Sequence, residues 1–414
     1  MPSHPLDPTA ARRPLRVLTY SHDSFGLGHL RRSVTLASAL VAAAPCAQVL
    51  CLTGSPVPDL FPLPERCDLV KLPSLGKNDA GEYVARRLPV SSGEITTLRS
   101  ELVTATVRAF RPDLLLVDHT PIGPGGELLP VLRRLQNDAL GTKLVLGLRD
   151  VLDTPLRARA ELQRLGAVEL LRSVYDHVLV YGERDVFDPV QEYGLPEAIA
   201  AKTTFTGPVV PEAARAVRVP LDPDEPHHVV VTTGGGEDGY GLLRAAVAAL
   251  RGPLRDTALK ITVVAGPLLA ETSFTALQRA VHGDARFDLR RSTDAMHALL
   301  RSAHLAIGMG GYNTVYESLA SGTPLLVLPR RRPREEQYER CRRLEARGHL
   351  RVLDEATLGD PHAMAAAVRA SLTAALLTPP TQMRCEGADK AARTCLQLVC
   401  ERGDRSRRPA QVGN

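Results

Sequence analysis

The chain contains no tryptophan, and aromatic residues make up only 4% of its 414 residues. Proteins that bind nucleic acid usually stack bases on aromatic side chains or present a concentrated basic helix. Lysine is also scarce, so arginine provides nearly all the positive charge behind the net charge of +5. The composition therefore argues against a nucleic-acid partner and is typical of a protein that meets a small anionic ligand or a membrane surface.

Cysteine and long apolar runs are sparse as well. The seven cysteines are scattered and include no Cys-x-x-Cys pair, which argues against a disulfide framework and against a zinc site. No apolar run approaches the roughly 18 residues that span a bilayer. The segment Met1–Arg16 lacks the apolar core of a secretory signal. We therefore expect a cytoplasmic protein, with peripheral contact at the inner face of the membrane left open.

Short apolar segments alternate with helical segments in both halves of the chain. Continuous apolar strands such as Leu114–Val117 and Val229–Thr232, separated by helices, are typical of parallel sheets covered on both faces. A proline-rich connection divides the two series. We predict a disordered N-terminus (1–14), a Rossmann-like domain (15–208), a linker (209–226), a second Rossmann-like domain (227–385), a helix (386–401) that crosses back to the first domain, and a disordered tail (402–414).

The most informative segment is Leu305–Pro329, which reads as strand, glycine turn, helix, turn and strand. The turn at Gly310 and Gly311 would present backbone N–H groups at a helix N-terminus, where phosphate binds well. Thr314 can add a hydroxyl donor there. Glu317 lies one turn deeper on nearly the same helix face, where its carboxylate could accept both hydroxyls of a ribose. The segment therefore predicts a nucleotide diphosphate site.

This segment resembles the donor-sugar signature of GT-B glycosyltransferases, especially the MurG-type family, through Gly311, Thr314, Glu317, Gly322 and Pro324. The resemblance implies an α/β protein of the GT-B class, with two Rossmann-like domains whose parallel sheets face each other across a cleft. It also implies transfer of a sugar from a nucleotide diphosphate donor, a UDP-sugar, to a hydroxyl acceptor. The implied reaction inverts the anomeric carbon and needs no metal and no cofactor besides the nucleotide sugar.

The donor-binding residues that the resemblance implies lie in four segments of the second half. Gln337 matches the family's donor-sugar motif, but Glu336 replaces the amide that often precedes it, so the identity of the sugar stays open. The full set of expected donor-binding residues is Gly234, Gly235, Gly236, Thr293, Met296, Gly310, Gly311, Tyr312, Asn313, Thr314, Glu317 and Gln337.

The candidate base lies in the first half, where the loop after the first strand ends in Gly28-His29, as the family's glycine loop does. An imidazole has a pKa suited to accepting a hydroxyl proton near pH 7, so His29 is the leading candidate. His22 and Asp23 are closer to the strand end and could serve instead. Asp118 could orient a histidine, or it could be a buried carboxylate at the strand end that caps the next turn. The expected acceptor-side loop residues are Gly26, Gly28, His119, Gly125 and Gly126.

Two other classes of function use the same scaffold. A nucleotide-sugar 2-epimerase would share the diphosphate site but needs further carboxylates around the sugar, and a non-catalytic protein would only bind a sugar nucleotide or a lipid headgroup. The acceptor could be a lipid-linked saccharide, a polysaccharide precursor or a small natural product, and its choice should depend on the loop Pro73–Pro89. The Asp-x-Asp at Asp222–Asp224 lies in the linker and not after a strand, so no metal site is predicted.

Overall fold

The computed structural model describes residues 14–23, 28–78, 82–137, 141–218, 221–222, 224–377 and 382–405. The described strands of the first half are β1 (Leu15–Ser21), β2 (Ala47–Thr53), β3 (Cys67–Lys71), β4 (Leu75–Lys77), β5 (Tyr83–Ala85), β6 (Leu114–Asp118), β7 (Lys143–Arg149), β8 (His177–Tyr181) and β9 (Thr203–Phe205). A parallel sheet runs in the order β3-β2-β1-β6-β7-β8-β9, while β4 and β5 form a separate antiparallel hairpin.

The second half repeats this plan with a parallel sheet in the strand order β12-β11-β10-β13-β14-β15. Its strands are β10 (His227–Thr232), β11 (Leu259–Val264), β12 (Phe287–Arg290), β13 (Leu305–Met309), β14 (Leu325–Leu328) and β15 (Arg351–Val352). In both sheets the strand order reverses beside the first strand of the series, and ligands of doubly wound folds bind at that position.

Helices cover the faces of both sheets. In the first half they are α1 (Gly28–Ala43), α2 (Ser92–Phe110), α3 (Leu129–Asn137), α4 (Pro155–Arg164), α5 (Ala167–Ser173), α6 (Pro189–Glu192) and α7 (Glu197–Ala200). In the second half they are α8 (Tyr240–Arg251), α9 (Glu271–Val281), α10 (Met296–Ser302), α11 (Tyr312–Ala320), α12 (Glu336–Glu345), α13 (Pro361–Leu377) and α14 (Gly387–Arg405).

Local sequence explains these elements well. The strand β6 reads Leu-Leu-Leu-Val-Asp and is buried throughout, because a parallel strand covered on both faces must be apolar along its length. Helix α2 begins at a capping box, in which Ser91 and Glu94 satisfy each other's backbone N–H groups, and it ends at Arg111 in the left-handed region. The two predicted α/β series are thus confirmed.

The last helix, α14, packs against α1 of the first domain. Its buried residues Ala388, Ala391 and Cys395 join one apolar cluster with Leu36 and Leu40 of α1. The helix runs to Arg405, four residues beyond the end predicted from the sequence, since polar residues alone do not interrupt helical hydrogen bonding. Of the predicted N-terminal segment 1–14 only residue 14 is described, and residues 406–414 also lie outside the described ranges.

A buried ion pair joins the two domains beneath the cleft. Asp150, which directly follows β7, accepts two hydrogen bonds from Arg340 of α12, at 2.7 and 2.6 Å. Both side chains are fully buried, at 0% exposure. Tyr316 of α11 donates to the same carboxylate at 2.8 Å, and Arg340 donates to the carbonyl oxygen of Gly310 at 3.1 Å. The pair therefore links the end of one sheet to the donor turn of the other domain.

We expect Asp150→Ala to lower the free energy of unfolding by about 3–5 kcal/mol, because it leaves the Arg340 guanidinium buried without its counter-charge. Calorimetric or circular-dichroism melting measures the loss. The double variant Asp150→Ala/Arg340→Met should recover much of it, since no unpaired charge then remains. The control is Glu169→Ala, which breaks an exposed pair with Arg172 and should leave the melting temperature unchanged. A stable Asp150→Ala protein would contradict the role given to this pair.

Candidate active site

A cavity of about 840 Å³ lies between the carboxyl edges of the two sheets. Its walls come from both domains: α1 and the end of β7 on one side, and the turns after β10 and β13 with the start of α12 on the other. A cleft of this size between two domains is where a small ligand binds in folds of this kind.

The glycine turn after β13 forms one end of the cavity. Gly311 is the N-cap of α11, and no side chain caps this helix end. The residues Gly311, Tyr312, Asn313 and Thr314 line the cavity. Because the first N–H groups of a helix and its dipole favour negative charge, this wall is suited to an anion such as phosphate. Asn313 also donates to the carbonyl oxygen of Gly28 at 3.4 Å, across the cleft.

A second glycine turn lies beside the first. Gly234 and Gly236 have φ angles of 65° and 91°, and both line the cavity together with Gly235. A Cβ atom at Gly236 would lie 2.6 Å from the carbonyl oxygen of Ala265, so only glycine fits there. A Cβ atom at Gly234 would lie 3.5 Å from Oγ1 of Thr314. The two turns therefore present backbone and hydroxyl donors to the same part of the cavity.

Three more of the predicted donor residues also line the cavity: Thr293, Met296 and Gln337. Thr293 accepts a hydrogen bond from the N–H of Ala295 at 3.0 Å, and Met296 is the first residue of α10. Gln337 accepts one from the N–H of Arg330 at 3.1 Å through Oε1, so its amide nitrogen is the group that can donate to a ligand.

Two of the predicted donor residues are not on the cavity wall. Gly310 packs behind it, where a Cβ atom would lie 2.7 Å from Sγ of Cys341. Glu317 is 3% exposed and is covered by Arg31 of the first domain, whose Nη2 lies 2.5 Å from the carboxylate. His297 lies 3.3 Å from the same carboxylate. The Glu317 carboxylate is therefore paired with Arg31, and a ribose could reach it only after Arg31 moves.

The opposite wall carries the candidate base. Nδ1 of His29 lies 2.5 Å from the Asp118 carboxylate at the end of β6. Arg32 donates two hydrogen bonds to that carboxylate, at 2.8 and 2.6 Å. Burial alone would raise the pKa of Asp118, but Arg32 and His29 hold this pKa well below its usual range. Asp118 therefore stays ionised and fixes the His29 ring through Nδ1, as expected of a carboxylate–imidazole pair.

Two further histidines surround His29. Ring centroids lie 4.5 Å apart for His22 and His29 and 5.4 Å apart for His29 and His119. Burial lowers the pKa of both His22 and His119 well below the ordinary value, and nearby cationic groups lower it further. Of the three rings only His29 lines the cavity. Asp23 accepts hydrogen bonds from Ser21, Leu30 and Thr53, so its carboxylate links the ends of β1 and β2 to the first turn of α1 and is not placed as a base.

Only some of the predicted acceptor-side residues lie at the cavity. Gly28 lines the cavity, whereas His119 does not. Gly125 and Gly126 form a tight turn with φ angles of 61° and 82° that packs against α2 and the start of α3, away from the cavity. They do not line the cleft because this turn faces Thr96 of α2 and Leu129 of α3. Gly26 lies outside the described residues.

Sequence reasoning missed Arg31, Arg149 and the Asp150–Arg340 pair. Arg149 is the last residue of β7 and lines the cavity, so its position at the carboxyl end of a buried strand was the available signal. Arg31 directly follows Leu30 in a helix that otherwise reads as ordinary, and nothing local to it indicates a partner 286 residues away.

The described residues contain no helix that is long and apolar enough to cross a membrane. In the same part of the chain, no group of three or more His, Cys, Asp or Glu side chains is arranged to hold a metal ion.

Residues 229–395 match the family model of the glycosyltransferase family 28 C-terminal domain. The chain is also 29% identical over 180 residues to a Rhizobium rhizogenes protein, UDP-N-acetylglucosamine--N-acetylmuramyl-(pentapeptide) pyrophosphoryl-undecaprenol N-acetylglucosamine transferase. That alignment covers 42% of this chain and 46% of the relative. The chain therefore spans less than half the length of this relative.

Solved structures match over nearly the whole chain. The crystal structure of Acinetobacter baumannii MurG has a TM-score of 0.55 at 15% identity, covering 94% of this chain and 100% of that one. A putative UDP-N-acetylglucosamine 2-epimerase from Listeria monocytogenes has a TM-score of 0.60 at 15% identity, covering 95% and 98%. The chain has the GT-B fold, as predicted. Together with the family match, these comparisons confirm its resemblance to the MurG-type glycosyltransferases.

The pKa values of His22 and His119 predict a loss of stability in mild acid. Since the folded-state pKa values of His22 and His119 lie below the ordinary value, the unfolded chain binds more protons as pH falls below about 6.5. The free energy of unfolding should therefore be constant near pH 8 and fall between pH 6.5 and 5. His119 has a φ of 70°, which asparagine tolerates, so His119→Asn should fold and show a shallower fall.

Urea unfolding at each pH measures this dependence. The control is His362→Asn, because His362 is exposed and its replacement should leave the slope unchanged. An unchanged slope in His119→Asn would show that the ring of His119 is not held neutral in the folded protein.

Proposed function

We propose that the protein is a glycosyltransferase that moves a sugar from a UDP-sugar to a hydroxyl acceptor with inversion at the anomeric carbon. The observation that carries this proposal is the position of two phosphate-suited glycine turns opposite a histidine–aspartate pair, on the two sides of the same cavity. The family match in residues 229–395 supports sugar transfer as the chemistry.

The donor diphosphate would bind at the N-terminus of α11, between the turns that hold Gly234 and Thr314. Negative charge builds up on the leaving diphosphate as the glycosidic bond breaks, and the helix dipole with its backbone donors stabilises that charge without reorganising. Arg330 also lines this cavity. These groups provide the positive charge that the leaving group requires, so the proposal includes no metal ion.

The ribose would bind Glu317 in place of Arg31. The carboxylate now accepts from a guanidinium, and two ribose hydroxyls can take over as donors. Nucleotide binding would thus exchange one partner of Glu317 for another. The free energy of binding would depend on the strength of the ion pair between Arg31 and Glu317 that is lost.

The acceptor hydroxyl would lose its proton to Nε2 of His29, because Nδ1 of that ring is held by Asp118. A hydroxyl activated on the face opposite the leaving diphosphate displaces it in one step, which inverts the anomeric carbon. The β4–β5 hairpin lies over this side, where Tyr83 stands edge-on to His22 at a centroid distance of 6.1 Å. This hairpin belongs to the loop Pro73–Pro89, so acceptor choice should depend on it.

A nucleotide-sugar 2-epimerase is the second candidate, because the cavity wall includes the buried carboxylate of Glu336. An epimerase would turn the UDP-sugar into its isomer and would not pass the sugar to an acceptor. Lipid-linked saccharides, polysaccharide precursors and small natural products are the acceptor classes to test for the transferase.

We expect UDP to stabilise the protein, by roughly 2.7 kcal/mol when present at about 100 times its Kd. The two partners of one ion pair should act in opposite directions: Glu317→Ala should weaken UDP binding at least tenfold, whereas Arg31→Ala should strengthen it by freeing the carboxylate. Titration calorimetry and thermal shifts with UDP, GDP, TDP and ADP measure these effects. Glu101→Ala, in an exposed part of α2, is the control. No response to any of the nucleotides would overturn the proposed function.

The role of His29 predicts a separate effect on rate. His29→Asn should lower the kcat for UDP release from the UDP-sugar by at least about 100-fold, because the general base is lost. Its affinity for UDP should stay unchanged. The assay follows UDP release with water and then with a panel of hydroxyl acceptors, and His282→Asn, an exposed histidine, is the control. Full activity in His29→Asn would show that another group acts as the general base. Conversion of the donor to an isomer would favour the epimerase.

A further inference from the structure

The base of the β4–β5 hairpin is fixed to the first domain by a buried guanidinium. Arg99 of α2 is 0% exposed, and its Nη1 donates to the carbonyl oxygen of Pro73, just before β4, at 2.5 Å. Its Nε and Nη2 donate to the two carboxylate oxygens of Glu127, at 2.6 and 2.7 Å. Glu127 also accepts from the hydroxyl of Tyr20 in β1. Because charge-assisted hydrogen bonds of this kind are strong and directional, the Pro73 carbonyl is held firmly in place.

The other strand of the hairpin reaches the second domain. Arg86 directly follows β5, and its N–H donates to the carbonyl oxygen of Ser74 at 3.0 Å, which continues the pairing of the two strands to the base of the hairpin. Its Nη2 donates to Oε1 of Glu237 at 3.1 Å. Glu237 directly follows the glycine turn that ends at Gly236, and it lines the cavity. The hairpin is therefore attached to the first domain through Arg99 and to the donor turn through Arg86.

The hairpin covers one side of the histidines of the first domain. Tyr83 begins β5 and stands edge-on to His22, with ring centroids 6.1 Å apart. His22 is 5% exposed, and its ring centroid lies 4.5 Å from that of His29. Since His29 lines the cavity and His22 does not, Tyr83 and His22 lie on a side of His29 away from the cavity. These two rings close the route to the candidate base from that side.

Water is the competitor that such a cover excludes. A water molecule in place of the acceptor hydroxyl would give a proton to Nε2 of His29, and its oxygen would bond to the anomeric carbon. UDP would leave with the electron pair of the broken carbon–oxygen bond. The products would be a free sugar and UDP, so the donor would be lost without transfer. Exclusion of water from a closed site suppresses side reactions of this kind.

We propose that Arg99 and Arg86 are positioning residues for sugar transfer: by anchoring the β4–β5 hairpin they keep Tyr83 over His22 and so protect the donor from hydrolysis. This inference rests on the proposed function and adds to it the means by which an acceptor is favoured over water. Neither arginine lines the cavity, so the effect of each passes through the hairpin.

The first measurement is UDP release in water alone, from whichever of UDP-glucose, UDP-galactose and UDP-N-acetylglucosamine binds the wild-type protein most tightly. Arg86→Gln should raise this rate at least about threefold, because the hairpin loses its attachment to the donor turn and water enters. Arg99→Met/Glu127→Gln removes the other anchor, leaves no unpaired charge and keeps an acceptor for the Tyr20 hydroxyl, and it should raise the rate as well. UDP affinity should stay unchanged in both. A purely structural role would lower the rate and not raise it.

The position of the hairpin can be measured without a donor, because the chain contains no tryptophan. Tyr83→Trp therefore introduces a single indole at the covered position, and acrylamide quenching of its fluorescence measures its exposure. Adding Arg86→Gln to this background should raise the quenching constant about twofold, since the hairpin is then less firmly held. Adding Arg99→Met/Glu127→Gln should raise it too.

Two matched controls accompany these variants. Arg87→Gln makes the same change as Arg86→Gln at the next residue, which is exposed. Tyr20→Phe removes a hydroxyl from the buried network but leaves the contact between Arg99 and Pro73 in place. Both controls should leave the quenching constant and the rate of UDP release unchanged.

Unchanged quenching in both anchor variants would overturn the inference, since other contacts would then hold the hairpin. Increased quenching without a gain in UDP release would overturn it as well, because the hairpin would then not exclude water. A gain that Arg87→Gln shares would assign the effect to surface charge and would also count against the anchors. Failure of UDP to bind the wild-type protein would instead reject the proposed function itself.

Discussion

The ion pair between Asp150 and Arg340 is the constraint on which the arrangement of the site depends. It is fully buried, and it attaches the end of a strand in one domain to a helix of the other. Arg340 also binds the carbonyl oxygen of Gly310, so the group that fixes the two domains together also holds the backbone before the donor turn. Buried pairs of this kind often add little net stability, but they penalise every arrangement in which the two charges separate. The pair therefore fixes the distance between the two walls of the cleft.

The architecture and the donor turn could be predicted because their causes are local. Continuous apolar strands, a glycine turn before a helix, and a threonine one turn into that helix each follow from residues close in the sequence. The sequence left two roles open for Asp118, orienting a histidine or capping a turn. The hydrogen bond between Asp118 and His29 in the structure supports the first role. The short strands β9, β12 and β15 are too short to give a clear apolar pattern of their own, and they depend on neighbouring strands already in place.

The occupied state of Glu317 and the pairing of Asp150 with Arg340 could not be predicted, since each depends on residues far away in the chain. Arg31 meets Glu317 across 286 positions, and Arg340 meets Asp150 across 190. Such pairs leave no mark in the local pattern, because an arginine in an amphipathic helix is ordinary. The sequence does indicate that Glu336 stands where the resembled family often has an amide side chain. The structure adds that this carboxylate lines the cavity and that its Oε2 has no hydrogen-bond partner among the described residues.

The packing of α14 on α1 has a consequence for how the protein is made. The buried residues of α1 include Leu36 and Leu40, and Ala388, Ala391 and Cys395 of α14 complete the apolar cluster to which they belong. A ribosome delivers α1 early, so that apolar face stays without its partner while more than three hundred further residues emerge. The domain that is synthesised first is therefore the one whose surface is completed last. A nascent chain should depend on chaperones for that interval, and shortening the C-terminal helix should harm the N-terminal domain more than the domain beside it in sequence.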